Sequence, residues 1–492
     1  MKRFERRLIN LPMVARVIGW LMMIEGIFMS IPLVTCILYE ETDWLAFAIS
    51  IGVTSATGAA MTFCLHPRRT DMGKREGFLL TALVWVIFSF FGMLPFMLCS
   101  SALSFSDAFF EAMSGFTTTG ATVMNTISEF SHGILLWRCL MQWIGGMGII
   151  LFTLAVIPML NHSGGMQMFN AEVTGITHDK IRPRISQTAK SLWGTYIVLT
   201  IMLFALLALG PMNIFDALCH AFSTISTGGF SSEDNGVATW ESSLYVKIVI
   251  TVFMFLGGVN FVVIFKAATR GLYSVRHNEA LNTYLGVVGV TFVIFVIAIV
   301  ARGHFDSWES VTVDPLFMII STITSTGYAV VNFEAWGTFV LTLIFVLMFF
   351  GACAGSTSGG AKIDRIIYLA KNIRNELDRC VHPNTMMPVT VGGKIMSPEI
   401  VNKVIAFLCI YVLLILFGGI VLTAFGIPLV DAFFSAFSCV GNTGLGAGVT
   451  GYGSNYDVIP DVGKWVLSVL MLIGRLEIYT VLILFTKSFW RK

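Results

Sequence analysis

The sequence predicts an all-α polytopic membrane protein, in which four repeated membrane–pore–membrane units surround one central pore and an N-terminal transmembrane hairpin precedes them. Three observations predict it. Of 492 residues 56% are hydrophobic and only 12% are charged, and the mean hydropathy is +0.80, well outside the range of soluble domains. Four segments repeat in register: Asp107 to Gly120, Asp216 to Gly229, Asp314 to Gly327 and Asp431 to Gly444 each place a glycine thirteen residues after an aspartate. A serine recurs seven residues after each aspartate (Ser114, Ser223, Ser321, Ser438), and self-similarity of this kind marks a repeat architecture. Finally, basic residues crowd alternate connections: Lys2 to Arg7, Arg68 to Arg75, Lys180 to Lys190, Lys266 to Arg276, Lys362 to Arg379 and Lys487 to Lys492. By the positive-inside rule these face the cytoplasm, so both termini are expected there and the number of spans is even.

The elements follow in order, each span near the roughly 20 residues that a bilayer requires. Apolar runs at 13–38 and 43–65 form the hairpin, within residues 1–76. The first unit, 77–165, has spans at 77–99 and 137–160; the second, 185–272, has spans at 190–210 and 244–269. The third, 278–380, has spans at 281–301 and 337–370, and the fourth, 395–492, at 400–426 and 463–487. That makes ten spans. Between the members of each pair lies one of the Asp-to-Gly segments, and it cannot cross: Asp107 to Phe116 as a helix rises only about 15 Å, half of the hydrocarbon thickness. Each segment must enter and return. The aspartates Asp107, Asp216, Asp314 and Asp431 are expected as N-caps rather than ion ligands, with Pro315 at a first helical position. The helix then aims its partially negative C-terminal end at the glycine turn, which favours a cation.

The turns read Thr118-Thr119-Gly120, Thr227-Gly228-Gly229, Ser325-Thr326-Gly327 and Asn442-Thr443-Gly444. Irregular backbone at membrane depth is tolerated only where it lines a watery cavity, and there its carbonyls can replace an ion's hydration shell. Small polar residues more often serve close helix packing, but four in-register copies favour a cation-binding ring. Two further features stand out. The outgoing span of the third unit is interrupted by Gly351-Ala352-Cys353-Ala354-Gly355-Ser356-Thr357-Ser358-Gly359-Gly360, which no helix propensity would keep regular; it reads as a plug or, alternatively, as a close helix crossing. Modest versions occur at Gly145-Gly146-Met147-Gly148 and Gly257-Gly258. Arg475 lies about 18 Å into its span, so it faces protein or water. It reads as a cation barrier, or as a structural pair with a carboxylate on another helix. Glu477, two positions on, is expected at an interhelical or subunit contact.

Taken with these motifs, the chain resembles, over essentially its whole length, the TrkH/TrkG potassium-uptake subunits of the Trk/Ktr/HKT superfamily. The leading hairpin is similar to the Trk branch. The resemblance implies potassium uptake across the bacterial cytoplasmic (inner) membrane through a gated, channel-like pore. Its filter glycines fall on Gly120, Gly229, Gly327 and Gly444, and glycine rather than serine at Gly120 implies potassium over sodium. Only one glycine per unit matches simple potassium channels, which implies a looser filter. The resemblance also implies an intramembrane gating loop at 351–360, a barrier role for Arg475, a homodimer, and a cytosolic nucleotide-binding regulator of the TrkA type. Proton-coupled potassium symport and weakly selective potassium/sodium transport stay open as alternatives.

Other classes fit less well. Nine cysteines with no CxxC and no His/Cys zinc spacing read as free thiols in helices. No HExxH or paired-aspartate motif points to an enzyme, and no glycine-rich phosphate loop gives the chain a nucleotide site. A secondary transporter of inverted repeats would alternate the sides on which its halves begin, and these units do not. A net charge of +2 gives no reason to expect nucleic acid; the expected surroundings are lipid. His220, inside the second short helix, reads as a packed polar residue.

Overall fold

The computed structural model describes residues 9–65, 72–146, 148, 185–303, 307–383 and 387–491. The basic segment 2–7, part of the one at 68–75, the span 137–160 beyond Gly148 and the loop 161–184 lie outside the described residues. Helices α1 (Leu11–Leu38) and α2 (Trp44–Cys64) form the expected hairpin. α1 also packs on α3 (Lys74–Gly92) and α6 (His132–Gly146), so the hairpin leans on the first unit.

Each unit then runs incoming helix, short helix, turn, outgoing helix. The incoming helices are α3, extended by α4 (Leu94–Leu98), then α7 (Ile185–Ala208), α11 (Glu279–Ala301) and α15 (Pro398–Ala424). The short helices are α5 (Phe105–Phe116), α8 (Ile214–Ile225), α12 (Trp308–Ile323) and α16 (Leu429–Gly441). The outgoing helices are α6, α9 (Leu244–Gly258), α13 (Thr338–Phe350) and α17 (Asp461–Arg475). Each outgoing helix packs on the short helix of the next unit: α6 on α8, α9 on α12, α13 on α16, and α17 back on α5. The last of these contacts closes the four units into a ring.

Two expectations need correction. First, the recurring aspartates are not the N-caps. Ser104 caps α5 by accepting from Asp107 N (3.2 Å), and Asn213 caps α8 by accepting from Asp216 N (2.7 Å). In the fourth unit Asp431 again sits in the first turn, behind Pro428. In the third, the helix starts at Trp308 under a Ser307 cap, so Asp314 and Pro315 are interior. The Ser-x-x-Asp and Asn-x-x-Asp spacings carried the correct signal, because a cap oxygen is satisfied by a backbone N–H three residues on.

Second, two outgoing spans expected to be continuous turn sharply. α9 bends by 105° into α10 (Phe261–Arg270), and α17 bends by 109° into the segment beginning with α18 (Tyr479–Leu482). In the first case Gly257-Gly258 ends the helix and Asn260 caps a new one through Val262 N (2.8 Å). In the second, Glu477 and Ile478 both take positive φ (54° and 55°), which no helix accommodates. Of the ten expected spans, six are described helices long and apolar enough to cross a bilayer, or eight counting the bent pairs. The difference is α6, whose continuation lies outside the described residues, and α13, which stops after 13 residues at the glycine-rich break.

Candidate functional site

All four short helices end in the same way. Past the last helical turn one residue adopts left-handed backbone: Thr118 (φ 54°), Thr227 (54°), Ser325 (52°) and Asn442 (52°). The next N–H reaches back to the recurring serine's carbonyl: Thr119 to Ser114 (2.9 Å), Gly228 to Ser223 (2.8 Å), Thr326 to Ser321 (2.9 Å) and Thr443 to Ser438 (2.9 Å). This is the Schellman closure, normally built on glycine at the left-handed position. Threonine, serine or asparagine there costs on the order of 1–3 kcal/mol each, and strain of this kind persists only where the surroundings impose it.

The turn then enters the four glycines, also at positive φ: Gly120 (81°), Gly229 (86°), Gly327 (84°) and Gly444 (79°). Their neighbours define the site. A β-carbon on Gly120 would lie 2.1 Å from Gly228 O, one on Gly229 2.0 Å from Thr326 O, one on Gly327 2.0 Å from Thr443 O, and one on Gly444 2.3 Å from Thr119 O. Each glycine therefore abuts the carbonyl that precedes the glycine of the next unit, and the fourth returns to the first. Glycine is required twice over, by its backbone angle and by the oxygen against it. The result is one closed ring bringing Thr119, Gly228, Thr326 and Thr443 oxygens to equivalent places. Among the described residues no group of His, Cys, Asp or Glu side chains could hold a metal ion. A hard monovalent cation would be offered backbone oxygens instead.

Buried polar side chains hold the segments outside the ring. In the first unit Glu111, fully buried, accepts from Arg138 Nε (2.8 Å), Val123 N (3.0 Å) and Thr122 Oγ1 (3.0 Å). Gln142, on α6, reaches the second unit, where it meets Ser223, Gly228 and Phe230. In the third unit Ser321 Oγ donates to Tyr328 O (2.7 Å) and Tyr328 Oη to Phe230 O (3.2 Å). In the fourth, Asn442 Nδ2 reaches Thr119 Oγ1 and Met471 O (both 3.0 Å). His220 is buried between Asp216 O (2.9 Å) and Ser231 Oγ (3.0 Å), as a packed polar residue.

The aspartates clasp the units. Lys247 Nζ of the second unit meets Asp314 of the third at 2.7 Å, and Lys464 Nζ of the fourth meets Asp107 of the first at 2.5 Å. Asp216 accepts from Ser232 Oγ (2.6 Å) and Asp431 from Val449 N (3.0 Å), both in the segment that follows the glycine turn of their own units. The sequence reading missed Lys247, Lys464, Arg138 and Gln142. A lone cation or amide in an apolar helix was the available signal, since such groups face the bundle and find partners there.

On the side where the turns leave the short helices, the 351–362 segment lies across the ring. Thr357 N donates to Gly257 O (3.3 Å), Thr357 Oγ1 lies 3.3 Å from Thr227 Oγ1, Gly359 N donates to Ser325 Oγ, and Gly360 N donates to Gly441 O (2.9 Å). The segment thus touches the turns of three units. Arg475 completes the arrangement by donating to Thr357 O (2.9 Å) and, in the first unit, to Gly145 O (2.8 Å). Ser356, Ser358, Gly359, Gly360 and Arg475 line one cavity together with Asn442; Thr357 joins them through Arg475 and Gly351 packs against Gly359 and Gly360, whereas Gly355 lies apart, against Asn260. Glu477 makes an interhelical contact with Arg365 of α14 (Ile363–Val381), and Arg365 also stacks 3.9 Å over the Phe407 ring.

A family profile described as TrkH, cation transport protein, matches residues 45–492. The chain belongs to the TrkH family. It is 35% identical over 487 residues to the Trk system potassium uptake protein TrkH of Halomonas elongata, covering 98% of this chain and 100% of that one. It is 34% identical to TrkH of Escherichia coli K12, covering 97% and 99%. The crystal structure of the potassium transporter TrkH from Vibrio parahaemolyticus superposes with a TM-score of 0.89 at 32% identity, covering 98% of this chain and all of that one. The fold, four helix–short helix–helix units and a leading hairpin in a multi-pass membrane protein, is that of this family.

Proposed function

We propose that this chain takes potassium ions up across the bacterial cytoplasmic membrane through the centre of the four units. The carrying observation is the closed carbonyl-to-glycine ring at Gly120, Gly229, Gly327 and Gly444, which we read as a selectivity filter. The flanking Thr118, Thr119, Thr227, Gly228, Ser325, Thr326, Asn442 and Thr443 supply its backbone oxygens and its geometry. Segment 351–360 and Arg475 act as the gate: the segment bars the path below the ring, and the guanidinium both ties it shut and repels cations. The names of the relatives, Trk system potassium uptake proteins, support potassium as the ion. Both termini lie in the cytoplasm, and a homodimer regulated by a cytosolic nucleotide-binding protein of the TrkA type completes the proposal.

The test is ion flux through the purified chain in liposomes under a potassium gradient, repeated with sodium and with an imposed pH gradient. Potassium flux that exceeds sodium flux and ignores pH is expected; uphill flux driven by protons would make the protein a symporter. Gly120→Ser places a β-carbon 2.1 Å from Gly228 O on backbone at φ 81°. It should lower the potassium-to-sodium ratio, and an unchanged ratio in folded protein would remove the filter assignment.

A further inference from the structure

The four ring oxygens come from Thr119, Gly228, Thr326 and Thr443, three threonines and one glycine. The odd position is also the loosest, because Gly228-Gly229 is a peptide between two glycines, the residues with the most backbone freedom. Nothing in its own conformation demands glycine at 228, which is absent from the residues with positive φ. What excludes a side chain is a neighbour: a β-carbon on Gly228 would lie 2.4 Å from Gln142 Cδ and 2.5 Å from its Oε1. The amide of Gln142, from the outgoing helix of the first unit, occupies the space in which the other three units carry a threonine side chain.

That amide is fully buried and its hydrogen bonds span the turn. Nε2 donates to Gly228 O at 2.8 Å, while Oε1 accepts from Ser223 Oγ at 2.6 Å and from Phe230 N at 3.2 Å. One group therefore connects the short-helix end, the ring carbonyl and the strand beyond. Only a side chain with both a donor and an acceptor can do this, and a carbonyl oxygen with two lone pairs can accept from Gln142 and still face an ion. We infer that Gln142 is a selectivity-determining positioning residue, which replaces the side chain missing at Gly228 and holds the Gly228-Gly229 peptide with its oxygen in the ring. The inference rests on the reading of the ring as a selectivity filter. Without the amide the diglycine peptide can rotate, and the ring loses one oxygen in four.

The experiment compares potassium and sodium permeability of the full chain in liposomes for wild type, Gln142→Ala, Gly228→Thr and the double variant, with Gly327→Ser in the third unit as a control. Gln142→Ala should lower the potassium-to-sodium ratio roughly tenfold, the equivalent of one buried hydrogen bond. Gly228→Thr alone should also lower it, because the new side chain meets Gln142. The double variant gives the second unit the threonine of the other three and frees its space, so it should recover a ratio above either single variant, a non-additivity that general loosening would not produce. If Gly327→Ser loses selectivity while Gln142→Ala keeps the wild-type ratio, the inference is wrong and the filter reading stands. If Gly327→Ser also keeps it, the filter reading fails and the inference falls with it. Should Gln142→Ala not fold, the double variant decides: a folded protein no more selective than Gly228→Thr overturns the inference.

Discussion

Replacing Arg475 with methionine tests the proposed gate most directly, because one side chain ties the 351–362 segment to a different unit. Its guanidinium donates to Thr357 O at 2.9 Å and to Gly145 O at 2.8 Å. A hydrogen bond involving a charged group is worth about 1.5–3 kcal/mol net. Methionine preserves most of the volume and removes both bonds. If only the Thr357 bond distinguishes the closed segment from a displaced one, its loss moves the equilibrium towards the open state by roughly 10- to 150-fold. On the proposed reading, removing a positive charge from the ion path adds to flux in the same direction. Arg475→Lys separates the two effects: it keeps the charge but, as a compact point donor, lacks the planar fork that reaches two carbonyls at once. Potassium flux in liposomes, normalised to monodisperse protein, should therefore rank wild type lowest, lysine intermediate and methionine highest. A folded methionine variant conducting no faster than wild type would refute the gate. A lysine variant as tight as wild type would leave charge alone as the barrier and remove the clasp from the argument.

Two further perturbations follow from the same geometry. Gly359→Ala puts a methyl 2.0 Å from Gly441 O, so the segment must move away from the fourth unit and resting flux should rise; flux at or below the wild-type level in folded protein would count against the plug. Lys247→Met strands Asp314 as a buried, unpaired carboxyl and should cost about 3–5 kcal/mol, whereas Lys247→Met with Asp314→Leu should restore most of the loss. Thermal unfolding in detergent reads both, and a single variant as stable as wild type would show that the clasp does not hold the units together.

Much of this molecule was legible in its sequence. The membrane setting followed from composition, the four units from the spacing of aspartate, serine and glycine, and the break in α13 from consecutive small residues. The serine repeat proved to be the helix-end carbonyl that accepts from the turn, a local closure that a short window encodes. The aspartates were misread because their spacing was right but their register in the helix was off, by three residues in the first, second and fourth units and by seven in the third. Ser104 and Asn213 had the better claim to the caps.

Local pattern determined which residues turn and which cross the bilayer, since those depend on backbone angles and on a neighbour's identity a few positions away. Tertiary structure alone decided what each turn meets. Lys464 and Asp107 are 357 positions apart, and the oxygen that makes Gly444 obligatory belongs to Thr119. Gln142 carries no motif; its importance appears only when the first unit's outgoing helix packs on the second unit's short helix and finds Gly228 without a side chain. Contacts between units are set by packing and ring closure, which no periodicity in one unit can express.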